Sequence, residues 1–114
     1  MVNQQVENFD TAVVSIFEHL RKSFPEPLYI QADSAGYSVV SKSAADGNWG
    51  EGTAIDLSSE EKHFMACVRW LEQEGYIRHS GEGFNGFDDV VLTKRTIDLL
   101  GIKPRSLDPE AYRD

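Results

Sequence analysis

The residues best suited to metal or acid–base chemistry are His19, His63, His79 and Cys67. His63 and Cys67 stand four apart, so a helix would place both on one face. A structural zinc site needs four such ligands, and no CxxC or second spaced histidine completes the set. The sequence therefore predicts a buried thiol and a surface imidazole, with no metal. Cys67 falls in an apolar stripe, where a thiol stays protonated and inert. No serine sits in a GxSxG elbow. The glycine loops 46–52 (DGNWGEG) and 80–86 (SGEGFNG) lack both a GK[ST] end and a strand-to-helix GxGxxG setting. The first also lacks the alternating acids of a calcium loop. They read as ordinary turns. The expectation is a protein that is not an enzyme and has no catalytic residue and no cofactor.

The chain of 114 residues has room for one domain with one modest core. Its 40% hydrophobic and 26% charged residues are those of a globular protein. No apolar run approaches the roughly 20 residues of a membrane helix. The N-terminal MVNQQVENFD carries acids but no Lys or Arg, unlike a signal or transit peptide. The one cysteine, Cys67, has no partner within the chain for a disulfide, which suits a reducing compartment. The expected location is the cytoplasm.

The elements that must position these residues follow from periodicity. Phe9, Val13, Ile16, Phe17, Leu20 and Phe24 recur at three- and four-residue steps, predicting a helix with Asn8 as N-cap. Pro25 stops it. Leu28, Tyr29 and Ile30 form a short apolar stretch of strand type. Residues 31–45 fit a short helix on either side of Gly36, or irregular chain, because Ser, Gly and β-branched Val weaken a helix. A long helix follows, with Ser58 and Glu61 at capping-box spacing, Phe64, Cys67, Val68 and Leu71 as its stripe, and Gly75 as its left-handed stop. Residues 76–79 read as a strand, 80–86 as a turn and 88–92 as the returning strand. Thr93 caps a last helix carrying Ile97, Leu99 and Leu100, which Gly101 closes. The tail, 102–114, is polar with two prolines.

WLEQEGYIR (70–78), a Gly-rich turn and VVLTKRTIDLL (90–100) together resemble the winged helix-turn-helix superfamily. The likeness covers residues 57–101 and, as a first helix, residues 9–24. It implies an α+β fold: one winged-helix domain over residues 1–101, with a helical core, a two-stranded C-terminal wing and a short closing helix. It also implies a small bacterial or phage protein. Winged helices serve DNA, RNA and protein contacts alike. A DNA-binding role would put the outer face of the long helix, with Glu60, Lys62, His63, Arg69 and Gln73, in the major groove, where Lys62, Arg69 and Gln73 suit base edges. Arg78, His79 and Asn85 would meet phosphate at the wing, and Lys94 and Arg95 would add to them.

Charge points elsewhere. The net charge is −8, whereas nucleic-acid binders carry a basic footprint. Residues 58–75 hold two bases and four acids, and residues 76–93 one base and three acids. Only residues 94–114 are net basic, with five bases and four acids. The helix and the wing are thus both acidic. The aromatics add a second pointer, since Trp49 lies in a glycine loop and Phe84 and Phe87 lie at the wing tip. Such rings either fold onto the core or meet a partner; Trp49 fits both, and Phe84 leans to contact. Trp70 beside the stripe fits core or dimer packing. The first expectation is a protein-contact module, an adaptor, subunit or inhibitor, that meets a basic partner through Trp49, Phe84, Phe87, Glu72 and Asp88. The alternative is a homodimeric DNA-binding regulator.

Overall fold

The computed structural model describes residues 3–40 and 57–113. Trp49 and the rest of the 46–52 loop lie outside them. Helix α1 spans Gln4–Ser23. It begins earlier than the sequence suggests. Asn3, not Asn8, is the N-cap, its side chain accepting from the Gln5 N–H at 2.9 Å. Asn8 lies inside the helix and accepts from the Gln4 amide at 3.0 Å. The first turn is exposed, so hydrophobic periodicity could not mark it. Ala12, Val13, Ile16, Phe17 and Leu20 face the core, as their spacing requires.

Strand β1, Leu28–Gln31, leads into a 3-10 turn over Ala32–Ala35 that Gly36 ends at φ 87°. This turn occupies the start of the region left open between helix and irregular chain. Its Ser34 carbonyl accepts from the Ser15 hydroxyl at 2.8 Å, fastening the turn to α1. Helix α2, Ser59–Gln73, opens with the full capping box. The Ser58 N–H donates to Glu61 Oε1 at 3.0 Å, and the Glu61 N–H to Ser58 Oγ at 3.1 Å. Phe64, Met65, Cys67, Val68 and Leu71 are buried. Gly75 takes φ 82° just past the helix end, where a residue with a Cβ would be strained.

The remaining strands are β2, Ile77–Arg78, β3, Gly81–Glu82, and β4, Gly86–Leu92. Together with β1 they make a four-stranded antiparallel sheet. β4 lies at its centre, with β1 on one side and β2 and β3 on the other. The sheet is larger than the two-stranded hairpin expected, because β1 joins it. The mixed helix and antiparallel-sheet character fits the α+β class.

β4 carries a bulge that sets which side chains enter the core. Leu28 pairs with Val90 and Ile30 with Phe87, so two steps on β1 match three on β4. The extra residue falls at Asp88–Asp89, and Asp89 takes φ 53°. The Ser80 hydroxyl donates to Asp89 Oδ2 at 2.8 Å and holds the kink. Phe87 and Val90, three apart, would point to opposite faces of a regular strand. The bulge turns both inward, and neither has exposed surface. Gly86 lets β1 approach, since a Cβ there would lie 2.6 Å from the Ile30 carbonyl oxygen.

Helix α3 spans Lys94–Leu99. The Thr93 hydroxyl does not cap it; it donates to the Gly75 carbonyl at 2.6 Å. Ile97 is buried and Leu100 half-buried, but Leu99 points to solvent with 63% of its surface exposed. Beyond Gly101, Ile102 packs against the core. Two 3-10 turns, Arg105–Leu107 and Pro109–Tyr112, are tied by Tyr112 donating to the Ser106 carbonyl at 2.8 Å. Among the described residues, no helix is long and apolar enough to cross a membrane.

Candidate interaction surface

The outer face of α2 and the hairpin hold most of the residues singled out in the sequence. The structure joins some of them in ways that change their use. Arg69 is held by Glu82 of β3. Its Nε donates to both carboxylate oxygens at 3.1 Å, and its terminal nitrogen donates to Oε2 at 2.7 Å. The shared hydrogen bond pushes the Glu82 carboxyl below its ordinary range and the Arg69 guanidinium above its own. The fork that could read a guanine edge is thus filled by a carboxylate of the same chain. Arg95 is also engaged. It donates to the Glu74 carbonyl at 3.2 Å and to the Tyr76 hydroxyl at 3.4 Å, and its guanidinium lies 4.6 Å from the Tyr76 ring centroid. Lys94 pairs with Asp98 at 3.0 Å.

Lys62, Gln73 and Arg78 are exposed. Lys62 and Arg78 make no ion pair among the described residues. His63 does not share their face. It turns toward the α1 side, where its Nε2 lies 3.5 Å from the Cys67 sulfur and its ring meets the edge of Tyr37 at 6.0 Å. Burial raises the Cys67 thiol pKa, the direction expected of an inert thiol. Among the described residues, no group of three or more His, Cys, Asp or Glu could hold a metal ion.

Two residues assigned to the wing tip are buried instead. Phe87 meets Phe64 edge-on in the core at 6.1 Å, so it is no surface contact. Asn85 is 8% exposed, and its side-chain oxygen accepts from Tyr29 at 3.4 Å and from Gln31 at 3.3 Å. Both are drawn in by the pairing of β1 with β4, a long-range contact that local sequence does not announce. His79, on the same hairpin, is half-buried beside Phe87 at 5.0 Å, and its Nδ1 is buried without a hydrogen-bond partner. Phe84 alone of the hairpin aromatics stays at the surface, 41% exposed.

The acids are placed differently. Glu60, Glu72, Glu74 and Asp88 are exposed and make no ion pair among the described residues. The surface of α2 and the hairpin therefore shows open carboxylates, while its Arg69 is neutralised within the fold.

Sequence reading missed a row of rings that crosses from α1 to α3. Phe9 meets Trp70 edge-on at 5.3 Å, Trp70 stacks on Tyr76 at 5.8 Å, and Arg95 covers Tyr76. Trp70 is 44% exposed, so it is not a core residue. Phe9 showed in the sequence only as a stripe position, and nothing local linked it to Trp70, 61 positions later. Comparison of the chain with protein-family models, curated proteins and solved structures gives no match.

Proposed function

We propose that this chain is a non-enzymatic winged-helix module that works by contact with another protein bearing a basic surface. The winged-helix reading is supported by the element order. A first helix, a strand, a short turn, a long helix and a hairpin follow one another, with the first strand paired to the returning strand of the hairpin. The protein-contact reading is carried by one observation: the Arg69 fork is closed by Glu82, while Glu60, Glu72, Glu74 and Asp88 stand open on the same elements. Facing DNA, those carboxylates would repel phosphate; facing a basic protein, they would steer association. Such a module belongs in the cytoplasm.

A second reading, a homodimeric DNA-binding regulator, rests on Lys62 and Arg78, two exposed cations of α2 and the hairpin that make no ion pair among the described residues. The two readings separate in a gel-shift assay run at low salt with native and random DNA fragments. The protein-contact reading expects no shift, together with one stoichiometric partner recovered by tagged protein from its host. A shift that weakens steeply with salt would establish the regulator and overturn the first reading.

A further inference from the structure

A groove of about 780 Å³ opens between α1 and α2. Aromatic rings reach it from separate parts of the chain: Phe9 of α1, Tyr37 after the 3-10 turn, and Trp70 of α2. Ala66, Cys67 and His63 lie between them. Among the described residues that line it, Glu60 is the one carboxylate and none is Lys or Arg.

The groove has the electrostatic sign of a cation site. Glu60 and Glu61 stand in the first turn of α2 and offset the positive end of its dipole. The Tyr37 phenol pKa is raised, first by burial and then by negative charge that includes the Glu60 carboxylate. Burial penalises any ion there, but the Glu60 charge favours an ammonium or guanidinium over an anion. Aromatic walls suit such a head, because cations are attracted to ring faces. The adjoining row of rings already does this once, where Arg95 lies over Tyr76.

Dimensions narrow the occupant. Glu60 and Trp70 are ten residues apart on one helix, about 15 Å along its axis. One side chain does not span that. An extended segment rising about 3.3 Å per residue covers it in four or five residues. We propose that the groove holds an extended segment of a partner protein, with an arginine or lysine beside Glu60 and Tyr37 and an apolar side chain, four residues along, against Phe9 and Trp70. This rests on the protein-contact reading above. A second copy of this chain is the poorer occupant, because two molecules of net charge −8 repel.

The test is an NMR titration of the full-length 15N-labelled protein with three blocked peptides: acetyl-Arg-Gly-Ser-Gly-Phe-amide, its norleucine-for-arginine analogue and its serine-for-phenylalanine analogue. The first should give saturable shifts at the Trp70 indole N–H and at the Phe9, Tyr37 and Ala66 amides. Each analogue should bind about fivefold more weakly. Glu60→Gln, at an exposed position, should weaken the arginine peptide about threefold and leave the norleucine peptide unchanged. Trp70→Ala should abolish the difference between the phenylalanine and serine peptides. Equal binding of arginine and norleucine peptides, shifts centred elsewhere, or no saturation by about 10 mM would each overturn the proposal. The two readings fail separately. A captured partner that Glu60→Gln and Trp70→Ala both retain at full affinity removes the groove and leaves the module. Selective peptide binding by a protein that also shifts DNA in a salt-sensitive way keeps the groove and removes the reading of the α2 and hairpin carboxylates as the contact surface.

Discussion

Phe84 and Phe87 are three positions apart and of one type, yet they have opposite fates. Phe87 fills the core against Phe64, whereas Phe84 remains at the surface of the hairpin. The bulge at Asp88–Asp89 reverses the inward-outward alternation of β4 and turns Phe87 inward, while Phe84 lies in the turn before β4. Counting by twos back from Leu92 and Val90 puts Phe87 outside, so alternation alone leads to the wrong face. The energies should differ accordingly. Phe87→Ala should cost about 3–5 kcal/mol of unfolding free energy in urea titration, the range for a large buried ring. Phe84→Ala should stay within about 0.5 kcal/mol. Similar losses for both would mean that the bulge does not set the register described.

At the scale of elements, what was local in the chain was legible and what was not local was hidden. The α2 N-terminus shows the contrast. Ser58 and Glu61 declare the capping box in four letters, and the structure has both of its hydrogen bonds. Ser58→Ala should lower stability by about 1 kcal/mol, seen as a lower melting temperature with an unchanged circular-dichroism spectrum. A fully retained melting temperature would show that water replaces the cap without loss. The pairing of Arg69 with Glu82 lies at the other extreme. Thirteen residues separate them, and only the fold of the hairpin back onto α2 brings them together. Because the folded state lowers the Glu82 pKa, its stabilising effect is complete above the ordinary glutamate pKa. It fades as the pH falls through the lowered folded value. Both side chains are partly solvated, so the effect is small, under about 1 kcal/mol. Wild type should therefore exceed Glu82→Gln in melting temperature at neutral pH and lose that margin in acid. A margin that persists below the carboxylate range would assign the loss to packing rather than charge.

For the whole molecule, the net charge of −8 matters less than where it is unpaired. The cations of α3 and the Arg69 fork are spent on neighbours, while carboxylates of α2 and the hairpin face solvent. Reversing Glu72 and Asp88 to Lys changes the charge of that surface without touching the core, as both positions are exposed. The double variant should gain salt-sensitive, sequence-independent DNA binding in a gel shift, because Lys62 and Arg78 are then joined by two further cations on the same elements. If it binds DNA no better than wild type, the acidity of that surface does not govern nucleic-acid binding.

By itself the sequence determined the helices, their stops, the capping box, the buried cysteine and the sign of the surface. Each of these depends on residues within a turn or two of one another, or on composition. Only the tertiary structure decided that β1 joins the hairpin, that Phe87 and Asn85 are buried, that Glu82 closes the Arg69 fork, and that Phe9, Tyr37 and Trp70 line one groove. Those contacts join residues far apart in the chain. No periodicity records them, because they exist only once the sheet has closed against the helices and the bulge has fixed its register.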